Sequence, residues 1–286
     1  MSDNDQSSGI FDGTDTVIAS FFGLRDNQHL RQRSLSRGLN DTSTGDRDFL
    51  ALVSDLYECI ESNHSGRQPS RENWRSKRVT TLADHNKSPE VLLERAVAML
   101  GEGGTLPGWL NQVPVASGLI DDRSDKRAAL DLVELKDETA RFVELKWESD
   151  TPGFAAFEVL RYGLVYLFCR INAAEFDYTD RRLMRVGRVD LQVVAPTAFF
   201  EKHDLGWLER GLDLAVGGLS SQKTSGQLAM GFEFLAIPPD FEFPFRDGAE
   251  VRAACEAEPP SEGARRVCDV FDNLSPTWPN AKGSTT

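Results

Sequence analysis

The order of hydrophobic periods along this chain predicts a mixed α/β fold, a central sheet flanked on both sides by helices. Three observations carry it. A helical repeat gives way to three period-two segments in succession, helix and strand patterns then alternate, and 286 residues at 40% hydrophobic composition suffice for one substantial core with appendages.

The first forty-odd residues are rich in Ser, Asp, Asn, Gly and Arg. They hold too few apolar positions to offset ordering entropy, so residues 1–46 are expected to be a disordered segment. Residues 47–62 set Phe49, Leu52, Val53, Leu56 and Ile60 at helical spacing. A polar run at 67–78 follows, with Trp74 among Arg67, Arg71, Arg75, Lys77 and Arg78, and completes a helix-and-basic-linker unit over 47–87. Two readings fit this run: a nucleic-acid arm with a stacking ring, or, more commonly, a solvated linker anchored by one Trp.

Ser88-Pro89 is a cap-and-proline helix start, and the glycine-rich stretch at 101–104 ends that helix. Residues 111–120, 129–135 and 141–147 read as strands, the last two joined by a polar turn at Lys136 to Thr139. Ser149-Asp150-Thr151-Pro152 starts a long apolar helix over 154–176. Strand, helix and strand patterns follow at 186–196, 207–219 and 226–238, so the core domain is placed at 88–240. Residues 241–286 turn acidic and proline-rich and are expected to form a loose tail with a short helix near Arg265 to Val270.

Charge and composition exclude several classes. The net charge of −13 opposes long-range attraction to polyanions, so any nucleic-acid contact needs a local basic groove or a bridging metal. No apolar run reaches the length of a membrane span and the N-terminus lacks a signal pattern, which points to a cytoplasmic protein without a membrane partner. Four scattered cysteines suggest free thiols, four isolated histidines give no zinc spacing, and no phosphate loop of the P-loop type occurs. Arg181, Arg182, Arg185 and Arg188 precede a strand, where they either line a groove or protect a sheet edge.

One constellation carries chemistry. Alternation in the strand at 141–147 sets Phe142, Glu144 and Lys146 on one face. A two-residue turn at Asp137-Glu138 pairs Lys136 with Thr139, and counting back places Asp131 opposite Glu144. Two carboxylates at that separation repel unless a cation lies between them. Oxygen-only ligands suit Mg²⁺ or Mn²⁺, and Lys146 beside them would orient or deprotonate a water or neutralise charge in a transition state. The bland alternative is a surface ion pair worth about 0.2–1 kcal/mol. Asp131 weighs against it, because an unpaired carboxylate in an apolar strand is costly.

Asp131 followed by Glu144-Leu145-Lys146 resembles the PD-(D/E)XK nuclease superfamily, in which an Asp ends one strand and Glu-x-Lys lies on the next. The resemblance implies a restriction-endonuclease-like fold over residues 88–240. It also implies a helix carboxylate joining the metal, for which Glu94 and Glu90 are candidates, and a support motif on the following helix, matched by Glu158 and Tyr162. Glu158 stands where the motif has Gln, so it either joins the acidic cluster or pairs with Arg161, and Leu130 replaces the usual proline before the Asp. The implied activity is Mg²⁺-dependent hydrolysis of phosphodiester bonds in DNA, or second to it RNA, in restriction, repair or defence, with a homodimer left open. The rival class is a catalytically silent binding or scaffolding protein on the same fold. Glycoside hydrolysis by the paired carboxylates is a weaker third, since it needs no adjacent lysine.

Overall fold

The computed structural model describes residues 9–25, 28–39, 47–120 and 128–278. A six-stranded mixed sheet runs in sequence order: β1 (Trp109–Pro114), β2 (Ala129–Lys136), β3 (Thr139–Leu145), β4 (Arg188–Pro196), β5 (Ala229–Ile237) and the short β6 (Ser275–Pro276). β1, β2 and β3 form an antiparallel meander, β3, β4 and β5 are parallel, and β6 closes antiparallel on β5. The first strand stops at Pro114, six residues short of its expected end, and residues 115–120 turn back through Gly118 at φ 78°.

Helices cover both faces, which is why β4 and β5 read as nearly continuous apolar runs. Against one face lie α3 (Phe49–Asn63), α5 (Pro152–Ile171) and α7 (Gly206–Thr224), packed on Ala140, Phe142, Leu191, Val193 and Phe232. Against the other lie α4 (Pro89–Glu102), α8 (Gly248–Cys255) and α9 (Glu262–Asp272), packed on Trp109, Leu132, Val143, Leu145 and Val194. The short α6 (Thr197–Phe200) follows β4 directly. The four cysteines are free, and among the described residues no helix is long and apolar enough to cross a membrane.

Two expectations are corrected. The segment read as disordered contains α1 (Thr14–Phe22) and α2 (Arg33–Gly38), with Ile10, Ile18, Phe22 and Leu30 buried. These few apolar side chains need no core of their own, because they dock on the wall of α5 and α7; the Phe22 ring meets Phe157 at 5.7 Å and Trp207 at 6.3 Å. Residues 1–8, 26–27 and 40–46 of that segment lie outside the described residues. The expected tail is likewise an integral layer up to residue 278: Val251, Val267, Val270 and Phe271 are buried, and Phe271 packs on Trp109 at 4.5 Å.

The basic run at 67–78 is built into the fold. Trp74 is fully buried, stacked on Phe142 at 6.0 Å and edge-on to Tyr166, so it anchors the linker and offers no ring to a ligand. Its cations are engaged internally: Arg75 and Lys77 pair with Glu72, and Arg78 donates to the carbonyls of Trp109 and Pro107. Arg181, Arg185 and Arg188 are also engaged, by the Arg71 carbonyl, the Thr179 carbonyl and Asp190.

Candidate functional site

The β2–β3 hairpin closes at Lys136↔Thr139, with Asp137 in the left-handed region at φ 52°. Its register runs back to Leu132↔Val143, so the next step sets Asp131 opposite Glu144. There the two strands separate. Asp131 Oδ2 accepts from the Leu145 N–H at 3.0 Å, taking the place of a ladder carbonyl, while the Lys146 N–H stays with β4 through the Val194 carbonyl at 3.0 Å. The ladder ends there, with the two carboxylates on the same face of the sheet.

Glu144, on the same face as Phe142, lies within the electrostatic reach of the Asp131 carboxyl. Lys146 Nζ donates to Glu144 Oε1 at 2.7 Å and to Glu158 Oε2 at 3.0 Å, with Asp150 Oδ2 at 4.0 Å. Glu144 and Lys146 are only 4% and 8% exposed, whereas the Glu158 and Asp150 side chains keep 22% and 26%. The cluster therefore reaches solvent on the Glu158 and Asp150 side.

α5 delivers Glu158 because Thr151 caps its first turn, accepting from the Phe154 N–H at 3.2 Å, and Pro152 opens it. Glu158 joins the acidic cluster; Arg161 turns away to Asp15 and Thr14 of α1. One turn on, Tyr162 packs against Phe11 at 5.9 Å with its hydroxyl in the field of Glu144, Glu158 and Asp131.

Burial drives the Asp131 carboxyl up to about 6, although Lys146 and the Leu145 N–H pull the other way. Glu144 is raised well above the carboxylate range by burial, then by Asp131 and Glu158. Burial by itself would lower Lys146, but Glu144 and Glu158 outweigh it and hold the ammonium charged. The Asp131–Glu144 pair thus keeps a proton near neutrality in the absence of another cation.

The two helix glutamates have different partners. Glu94 accepts from Asn111 Nδ2 at 2.6 Å and is paired with Arg95; burial pushes it to about 7, and Asp131 adds to the rise through space. Glu90 accepts from the Trp147 N–H and the Ser149 hydroxyl, both at 2.7 Å, and so pins the turn that follows Lys146. Sequence reasoning did not foresee that role of Glu90, nor Asp150 as an outer neighbour of Lys146; the capping pattern around Asp150 was its only signal.

Asp131 and Glu144 are the pair able to hold a divalent ion. The buried Glu144 and half-buried Asp131 are like-charged, which creates the electrostatic demand a cation satisfies, and Mg²⁺ needs only one or two protein carboxylates. Among the described residues no set of three His, Cys, Asp or Glu side chains converges as a ligand cage. Comparison with protein-family models, with curated proteins and with solved structures finds no match for this chain.

Proposed function

We propose that this protein is a metal-dependent nuclease with a restriction-endonuclease-like core, hydrolysing phosphodiester bonds in nucleic acid, DNA ahead of RNA. The observation that carries the reading is the opposed Asp131 and Glu144 at the splay of β2 and β3, with the Lys146 ammonium 2.7 Å from Glu144. Asp131 and Glu144 would hold Mg²⁺ or Mn²⁺, which supplies Lewis-acid polarisation of a phosphate oxygen and an acidified water. Lys146, held charged by its carboxylates in the metal-free protein, is placed to neutralise negative charge developing on the phosphate. Glu158 holds Lys146 in place, Glu90 fixes the backbone after it, and Tyr162 packs beneath the cluster. Glu94, expected as a third ligand, is instead tied to Asn111 and Arg95 and supports the position of α4 against β1.

The test is divalent-dependent cleavage of labelled single- and double-stranded DNA and RNA by the parent, Lys146→Ala and Asp131→Asn. Each substitution is expected to lower the rate by roughly 10²-fold or more. Cleavage that survives both refutes the site. A second reading, a catalytically silent binding protein, is favoured by one feature: Lys146 bridges Glu144 and Glu158 in a closed ion-pair network that needs no ligand. Absence of cleavage with every divalent metal would select it.

A further inference from the structure

Beyond Asp150 a cavity of about 440 Å³ opens outside the carboxyl ends of the parallel strands β3 and β4. Crevices at this position are where open α/β sheets take their ligands. Its cations come from two separate parts of the chain, Arg33 and Arg37 on α2 and Lys202 on the connection after β4, where His203 adds an imidazole. Two half-buried rings, Trp147 and Phe199, complete the lining. The parts are fixed to one another. Arg33 donates to the Glu148 carbonyl at 3.0 Å, Ser36 Oγ meets His203 Nδ1 at 3.3 Å, and Trp147 packs on Phe243 at 5.4 Å. Of the three acids sharing the rim, Glu148 and Glu201 are exposed and Asp150 is matched by Arg31 at 3.4 Å and by Lys146.

In a chain of net charge −13, three cationic side chains, Arg33, Arg37 and Lys202, gather around two rings, with the His203 imidazole, lowered by burial, beside them as a neutral hydrogen-bonding group. Cations in a groove with aromatic faces suit a phosphate attached to a planar base. We infer that this cavity takes one nucleotide of an unpaired nucleic-acid strand, and so that the substrate presented to Lys146 is single-stranded or frayed. The inference rests on the nuclease reading and sharpens it. The geometry argues against a duplex: a stacked, paired base cannot offer its face to Trp147 or Phe199, and the cavity has room for about one nucleotide, not for two strands. Asp150 touches both places, which puts the cavity one residue's reach from Lys146.

Binding is measured at low salt in chelator, where no cleavage occurs, by anisotropy of labelled oligothymidylate, oligouridylate and a blunt duplex. The expected result is a single strand bound at least about tenfold more tightly than the duplex. The charge reversal Arg37→Glu with Lys202→Glu should weaken strand binding about tenfold or more and flatten its salt dependence, and Phe199→Ala should weaken it several-fold. Both cations are exposed, and unchanged thermal unfolding of the double variant verifies an intact fold. Equal affinity for duplex, unchanged binding by the double variant, or binding of thymidine monophosphate but not of the strand overturns the inference. Cavity-dependent strand binding without cleavage under any metal keeps the cavity and removes the catalytic reading; cleavage indifferent to the cavity variants does the reverse.

Discussion

Asp131 and Glu94 each resist ionisation in the fold, at about 6 and about 7 against ordinary values of 3.8 and 4.5, chiefly because they are buried. A raised carboxyl contributes stability that is fully present below its unfolded value and is lost as pH rises through the folded one. In chelator, the free energy of unfolding in urea should therefore fall between about pH 4 and pH 7, with Asp131 accounting for on the order of 3 kcal/mol. Asp131→Asn should flatten that part of the profile, and Mg²⁺ added at pH 8 should restore stability to the parent alone. Parallel profiles for parent and variant would show that the cost does not sit at Asp131. The juxtaposition of Asp131, Glu144 and Lys146 was legible from strand alternation and the length of one turn, since both are local counts. The engagement of Lys146 by Glu158 was not, because it depends on how α5 crosses the sheet.

α5 is held to β4 at Gly163, where a Cβ would stand 2.6 Å from Leu191 Cδ1 and 3.2 Å from Leu191 Cγ. Leu191 is fully buried and has nowhere to retreat. Gly163→Val should cost about 1–3 kcal/mol by overpacking, read as a lowered urea midpoint with unchanged slope. By tilting the helix that carries Glu158 and Tyr162 it should also slow any cleavage. A variant as stable as the parent would mean that α5 has slack at this crossing. Long periodic elements such as α3, α4 and α5 were readable because each repeats its apolar stripe over several turns. α1, α2 and α8 were not: each is short, and its few apolar residues pack on surfaces made by other elements. α9 was foreseen only as a short helix near Arg265 to Val270, where it spans Glu262–Asp272.

At the scale of the molecule, the two faces of the sheet are covered by different parts of the chain, and one of them depends on residues beyond Pro238. α8 and α9 pack with α4 over Trp109, Leu145 and Val194. Truncation after Pro238 should leave that apolar face bare, giving strong binding of a hydrophobic dye and loss of a single cooperative unfolding transition. Cooperative unfolding of the truncated chain would show that this layer is an accessory. By itself the sequence determined the succession of helices and strands, the hairpin register and the shared face of the Asp131, Glu144 and Lys146 side chains, because periodicity, caps and turn length act between neighbours in the chain. Only the tertiary structure decided that residues 9–25 and 245–278 are built in, that Trp74 is core, that Glu90 pins the turn after Lys146, and that α2 brings two arginines beside it. Each of these joins residues far apart in sequence, and such contacts are set by which apolar surfaces are left uncovered once the sheet has formed.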